Sequence, residues 1–167
     1  LKIPVDDEVM LGRPADDLFA TRYADKTAFS RPFRALFNAL NGEHSRLIDS
    51  VRDVTHIARL AITARGRLSP AMPEVRAALR TGLCYAAQDI MMRKKSWQNL
   101  TPAAVAQELG ISLRQLHVVF EGAELSFSRT LASMRIEEAR RLLLESPALQ
   151  ITQVAYGCVF DSLPTFY

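Results

Sequence analysis

The stretch Leu100-Thr-Pro-Ala-Ala-Val-Ala-Gln-Glu-Leu-Gly110-Ile-Ser-Leu-Arg-Gln-Leu-His-Val-Val-Phe120 decides how this chain folds. Thr101 offers a side-chain oxygen to the N–H groups that open a helix, and Pro102 suits the first helical position, where a missing N–H costs nothing. Val105, Ala106 and Leu109 share one helical face, and Gly110 supplies the positive φ that ends the helix. Ser112 starts a second helix, with Gln115 three residues on to complete a capping box, and Leu116, Val119 and Phe120 form its apolar stripe. Two short helices joined through a glycine turn are the signature of a helix-turn-helix, whose second helix lies in the major groove of DNA. Residues 112–121 are then the candidate reader; the alternative is a generic helical hairpin.

A second copy favours the first of these. Val105, Ala106, Leu109, Ile111 and Ser112 recur as Val154, Ala155, Cys158, Phe160 and Asp161, all at one constant offset, and Pro102 is matched by Ile151. An apolar pair, an apolar residue before the turn, another after it and a capping side chain repeat in order. Such self-similarity points to a duplicated unit.

On these residues, together with Leu116-His117, Phe120, Ser126-Phe127, the run from Met134 to Leu143 and that from Ile151 to Phe160, the chain resembles the C-terminal DNA-binding domain of the AraC/XylS family of bacterial transcription regulators. The resemblance covers about the last two-fifths of the chain. It implies two helix-turn-helix units joined by one long helix and addressing the same face of double-stranded DNA, and sequence-specific transcriptional control by the intact protein. It also implies contact with RNA polymerase, a possible homodimer through residues 31–65, a small-molecule effector bound by an N-terminal domain missing here, and a cytoplasmic location. The residues it assigns to DNA are Thr101, Ser112, Leu113, Arg114, Gln115, His117 and Val118. Arg114 is the principal reader, on base edges or phosphate; Gln115 is either a cap or a contact, because a capping side chain cannot also reach a base. Three positions depart from the family pattern. Val118 stands where a basic or polar residue is frequent, Glu124 takes a turn position usually given to glycine, and Val159 replaces the turn glycine of the second unit. A β-branched residue at positive φ is strained, so that turn is expected to be loose or built differently.

Outward from this core, the length allows one or two small domains, and the 49% hydrophobic content is ordinary for a globular protein. The chain opens on Leu1 and ends at Tyr167 within the second unit, the pattern expected of a fragment of a longer protein. No apolar run is long enough to span a bilayer and no signal-peptide pattern opens the chain, so no membrane partner is expected. Cys84 and Cys158 lack metal-ligand spacing and read as buried free thiols in a reducing compartment. No Gly-rich phosphate loop, metal-spaced cluster or nucleophile–base pair is legible, so neither an enzyme nor a cofactor is expected.

Residues 1–30 are weakly patterned. From Arg31, the spacing of Phe33, Leu36, Phe37 and Leu40 predicts a helix capped by Gly42, and a longer helix follows over residues 43–64. Leu47, Val51, Val54, Ala58 and Ala61 line one face of it, with Ile48, Thr55 and Ile62 beside them. The pair reads as an αα-hairpin, either a self-contained core or a dimerisation surface. His44 and His56 lack ligand spacing and read as solvated or satisfied. Residues 67–73 form a linker, and a helix over 74–95 carries Val75, Leu79, Leu83, Ala86 and Ile90 as its stripe, with Trp97 plugging the connection to Thr101. A connecting helix from near Ser126 to Ser146-Pro147, about 19 residues long, spans roughly 28 Å at about 1.5 Å per residue, comparable to the roughly 34 Å between successive major-groove faces. Arg135 on that helix reads as half of a structural ion pair.

Charge sets a limit. Residues 101–167 carry five arginines against seven carboxylates, so the net +3 of the chain arises in residues 1–100. Phosphate neutralisation supplies much of DNA affinity, and this deficit predicts weak binding by the fragment alone. The basic stretch that follows this position in the family is missing. A helical protein-interaction module, or a fragment with weak or lost DNA binding, is the alternative. The expected architecture is all-α: a helical remnant of a sensor or dimerisation domain in residues 1–66, the linker 67–73, and a homeodomain-like, AraC-like helix-turn-helix bundle in residues 74–167 with its second unit incomplete.

Overall fold

The computed structural model describes residues 28–41 and 50–160, and every regular element among them is helical. In chain order these are α1 (Ser30–Asn41), α2 (Ser50–Ala64), α3 (Pro73–Lys94), α4 (Pro102–Leu109), α5 (Leu113–Glu121), α6 (Phe127–Glu145) and α7 (Ile151–Gly157). The all-α expectation holds. The expected residues 43–49 of the second helix, and the cap at Gly42, lie outside the described residues, as do residues 1–27 and Asp161. The chain divides into two compact units, Leu1–Ala86 and Ala87–Tyr167, with the division inside α3.

In the first unit, Leu36 of α1, Ile57 and Leu60 of α2 and Ala78 of α3 are fully buried, with Phe33, Phe37, Leu79 and Tyr85 packed on them. Gly82 lets the α1 backbone come close to α3. A Cβ there would stand 2.7 Å from Cβ and 2.9 Å from the carbonyl oxygen of Pro32, inside van der Waals contact. The inward face of α2 differs from the expectation. Ala58, Ala61 and Ile62 are buried, but Val51 is 77% exposed, and Asp53 takes an interior place instead. The Tyr85 hydroxyl donates to Asp53 Oδ2 (3.1 Å), which holds the carboxylate inside and turns the first residues of α2 outward. Burial, reinforced by that neighbouring negative charge, pushes the Tyr85 hydroxyl well above the usual tyrosine range. His56 is also buried.

Gly66, at φ +73, closes α2 by donating to Thr63 O (2.8 Å), and the next N–H, of Arg67, returns to Ile62 O (3.2 Å). These are the paired bonds of a helix ended by a left-handed residue. In the second unit, the last turn of α3 gives Ile90 and Met91 to the interior, and its basic end, Arg93 and Lys94, complements the helix dipole. A further cluster joins Ala139 of α6 to Val154 and Ala155 of α7, with Cys158 and Phe160 beyond the turn.

Candidate nucleic-acid interface

The two short helices are built as their sequence dictates. Thr101 caps α4, its Oγ1 accepting from Ala104 N (3.2 Å), and Pro102 opens the helix. Gly110 ends it at φ +71, ψ +31; its N–H donates to Gln107 O (3.1 Å), and that of Ile111 to Ala106 O (3.0 Å). Ser112 and Gln115 complete the capping box: Gln115 N donates to Ser112 Oγ (3.1 Å), and Ser112 N to Gln115 Oε1 (2.9 Å). Val105, Ala106 and Leu109 of α4 and Leu116, Val119 and Phe120 of α5 are buried, which fixes the inner faces and hence the outer ones. The Phe120 ring meets Phe127 of α6 edge-on, centroids 5.5 Å apart, so the first turn of α6 is held beside the last turn of α5.

The opposite side of α5 presents Arg114, Gln115 and His117 exposed, Leu113 partly exposed and Val118 half-buried, with Ser112 and Thr101 exposed at the two helix starts. Of the seven residues named from the sequence, six are solvent-exposed and one is half-covered. The hydroxyls of Thr101 and Ser112, and the carbonyl oxygen of Gln115, are already engaged as caps. Arg114 has no hydrogen-bond or ion-pair partner among the described residues.

Most other cations of the second unit are used internally. Lys94 pairs with Glu108 (2.7 Å) while its ammonium sits 4.3 Å from the Trp97 ring centroid, and Lys95 pairs with Glu138 (3.0 Å). Arg140 pairs with Glu137, and Arg141 with both Glu138 and Glu145. These hydrogen bonds from Arg141 and Lys95 hold the Glu138 carboxyl down to about 2. Trp97 is 58% exposed and does not plug its connection; its ring is used by the Lys94 cation rather than by the core. Arg135 has a structural use that includes backbone carbonyls. Its Nε donates to Lys95 O (2.9 Å), Nη2 to Trp97 O (2.9 Å) and Nη1 to Val159 O (3.5 Å). A planar fork of donors suits convergent carbonyls as well as it suits a carboxylate.

With those removed, Arg114 and Arg129 are the exposed, unpartnered arginines of α4–α7 among the described residues. Arg129 was not singled out from the sequence, although a signal was there. Like Arg114 it lies in the first turn of its helix, where the dipole disfavours a cation and folding gives no reason for one.

As far as Phe160, the second copy closes its first helix as the first copy does. Val159 N donates to Tyr156 O (3.0 Å) and Phe160 N to Ala155 O (3.1 Å), the counterparts of the Gly110 and Ile111 bonds. Val159 adopts φ +65, the one positive-φ residue other than glycine among the described residues. The expectation of a differently built turn is therefore corrected. The hydrogen bonds and the burial of Phe160 and Cys158 impose the glycine geometry on a valine. The exposed side of this copy carries Ile151 and Tyr156.

No helix among the described residues is long and apolar enough to cross a membrane, and no group of three metal-ligating side chains is found among them. Residues 105–167 match a family model described as a helix-turn-helix domain. Comparison with curated proteins and with solved structures gave no match.

Proposed function

We propose, from the premise that residues 105–167 are an AraC-type helix-turn-helix domain, a class that binds DNA and regulates transcription, that this domain reads DNA sequence by laying α5 in the major groove. The observation that carries the reading is the state of α5: one face buried on α4, the other presenting an Arg114 that no described residue holds. An arginine so placed can donate bidentately to guanine O6 and N7. His117 follows on the same side, and Leu113 and Val118 supply apolar surface for a thymine methyl. Arg129, fixed near the end of α5 through Phe127, serves as a phosphate contact that sets register without reading sequence.

The experiment is selection of bound sequences from a randomised duplex library by the 167-residue chain, with Arg114→Ala alongside. The expected result is an enriched motif containing a guanine that the variant no longer enriches, with about 1–3 kcal/mol of discrimination lost at that position. Absence of any enriched motif, or the same motif from both proteins, refutes the reading. The first of those outcomes favours a helical protein-interaction module.

A further inference from the structure

The carboxylates of α4–α7 and their connections sort into held and unheld. Glu108 is held by Lys94, Glu137 by Arg140, Glu138 by Lys95 and Arg141, and Glu145 by Arg141. The side chains of Glu121 and Glu124 are exposed and have no hydrogen-bond or ion-pair partner among the described residues. Arg114 and Arg129 are their counterparts among the cations. Among the described residues, the unanswered charge of this region is therefore confined to α5, the turn after it and the first turn of α6.

Glu121 is the one of these whose place folding does not explain. It is the last residue of α5, at the end of the helix where the dipole favours a cation and opposes a carboxylate. It follows Arg114 by seven residues, a rotation within about 20° of two complete turns and a rise of about 10.5 Å. Arg114 and Glu121 therefore share one strip of α5, with the exposed His117 between them and the buried stripe Leu116, Val119, Phe120 on the other side. In a helix-turn-helix the N-terminal residues of the second helix reach the base edges. α5 is about 13.5 Å long and the major groove about 12 Å wide, so a helix that enters by its first turn carries its last residue to the groove wall, where the phosphates are. The contact of Phe120 with Phe127 holds that same end of α5 beside the first turn of α6, which carries Arg129, the phosphate contact of the proposed reading.

We infer that Glu121 is an electrostatic brake on DNA binding by α5: its carboxylate opposes the phosphate backbone and weakens the hold on every duplex about equally. This rests on the proposed reading of α5. Phosphate contacts supply sequence-independent affinity, and a fixed negative charge at the groove wall subtracts from it. Binding then depends on the guanine contact of Arg114, because attraction to phosphate alone is held low.

The test uses the full 167-residue chain in fluorescence anisotropy on a scrambled duplex and on the duplex selected from the library, across a salt series. The proteins compared are wild type, E121Q, E121D, E121K, E145Q and Arg114→Ala. E121Q is expected to bind both duplexes about three- to tenfold more tightly at low salt, by the same factor, with the gain shrinking as salt rises. Its slope of log affinity against log salt is expected to steepen by up to about 0.9. E121D keeps the charge and is expected within about twofold of wild type; E121K is expected to gain more than E121Q, and it replaces E121Q if circular dichroism shows that variant unfolded. E145Q makes the same change of net charge about 27 Å along α6 from Phe127 and is expected within about twofold of wild type. Equal affinity of wild type and E121Q for the scrambled duplex overturns the inference, as does the absence of binding by every variant. An equal gain from E145Q overturns it as well, since the effect is then one of net charge. A loss confined to the selected duplex also overturns it and makes Glu121 a reader of a cytosine amino group. Failure of the α5 reading looks different: Arg114→Ala then leaves affinity for the selected duplex unchanged, whereas failure of the brake alone leaves Arg114→Ala costly and E121Q silent.

Discussion

Replacing Arg135 by methionine keeps an unbranched stem and removes the donor fork. Three of its acceptors, all backbone carbonyls, are unequal. The Lys95 carbonyl bond, at 2.9 Å in a partly buried position, is the strongest; a hydrogen bond to a charged group in such a place contributes about 1.5–3 kcal/mol. The Trp97 carbonyl is as close, but exposed, and water replaces the donor there, leaving about 0.5–1 kcal/mol. The Val159 contact, at 3.5 Å, is at the limit of a hydrogen bond and adds little by itself. The loss is therefore about 2–4 kcal/mol, or roughly 10–25 °C in the Tm of a unit this size. Urea titration followed by the fluorescence of Trp97, the one tryptophan of the chain, measures it at the site where the bond is broken. Arg135→Lys, with a single ammonium in place of the fork, is expected to recover less than half. A loss below about 0.5 kcal/mol for the methionine variant would mean that the carbonyls are as well satisfied by water, and the staple would carry no stability.

Three further outcomes are expected. Gly110→Ala meets no atom within 4 Å of its new Cβ, so its cost is conformational alone, about 1–2 kcal/mol, whereas Val159→Gly relieves that strain and is expected near neutral or slightly stabilising; thermal denaturation of the two compares them directly, and equal losses would refute the strain argument. Tyr85→Phe takes a donor from the buried Asp53 carboxylate and is expected to cost about 1–3 kcal/mol in the first unit, read by denaturant titration, and a neutral result would show that Asp53 does not depend on it. Glu138 titrates near 2 in the folded protein against an ordinary 4.5, so its contribution to stability is complete above about pH 4.5 and lost as pH falls toward 2. Urea midpoints from pH 6 downward should show an acid-sensitive component that Glu138→Gln lacks, and the same acid dependence in both proteins would refute the assignment.

How much of this was legible in the sequence depended on whether short-range rules decided the outcome. The caps at Thr101 and Ser112, the break at Gly110 and the stripe Leu116, Val119, Phe120 depend on neighbours within four residues, and each stands where it was expected. Val51, Trp97 and Arg135 depend on partners far along the chain. Asp53 turned the start of α2 because Tyr85, thirty-two residues away, offered it a hydrogen bond. The fork of Arg135 found carbonyls forty and thirty-eight residues back, which no side-chain pattern encodes. Of the candidate site, Arg114 was readable because its helix was, and Arg129 was passed over because a first-turn arginine becomes conspicuous only once the neighbouring cations are seen to be paired.

The capping box of α5 has a consequence for what the proposed reader can say. Reading adenine by an amide needs both ends of the side chain, one accepting and one donating. Gln115 has its oxygen occupied by the Ser112 N–H, which leaves its NH2 to donate. Arg114 is a pure donor as well. The leading end of α5 is thus a lexicon of donors, mute toward the cytosine amino group, with Glu121 as the lone carboxylate and only at the far end of the helix. On the proposed reading, such a surface would prefer guanine acceptors and, through Leu113 and Val118, thymine methyls. The contacted strand of a selected site should accordingly be G/T-rich, a bias fixed by the way the helix begins.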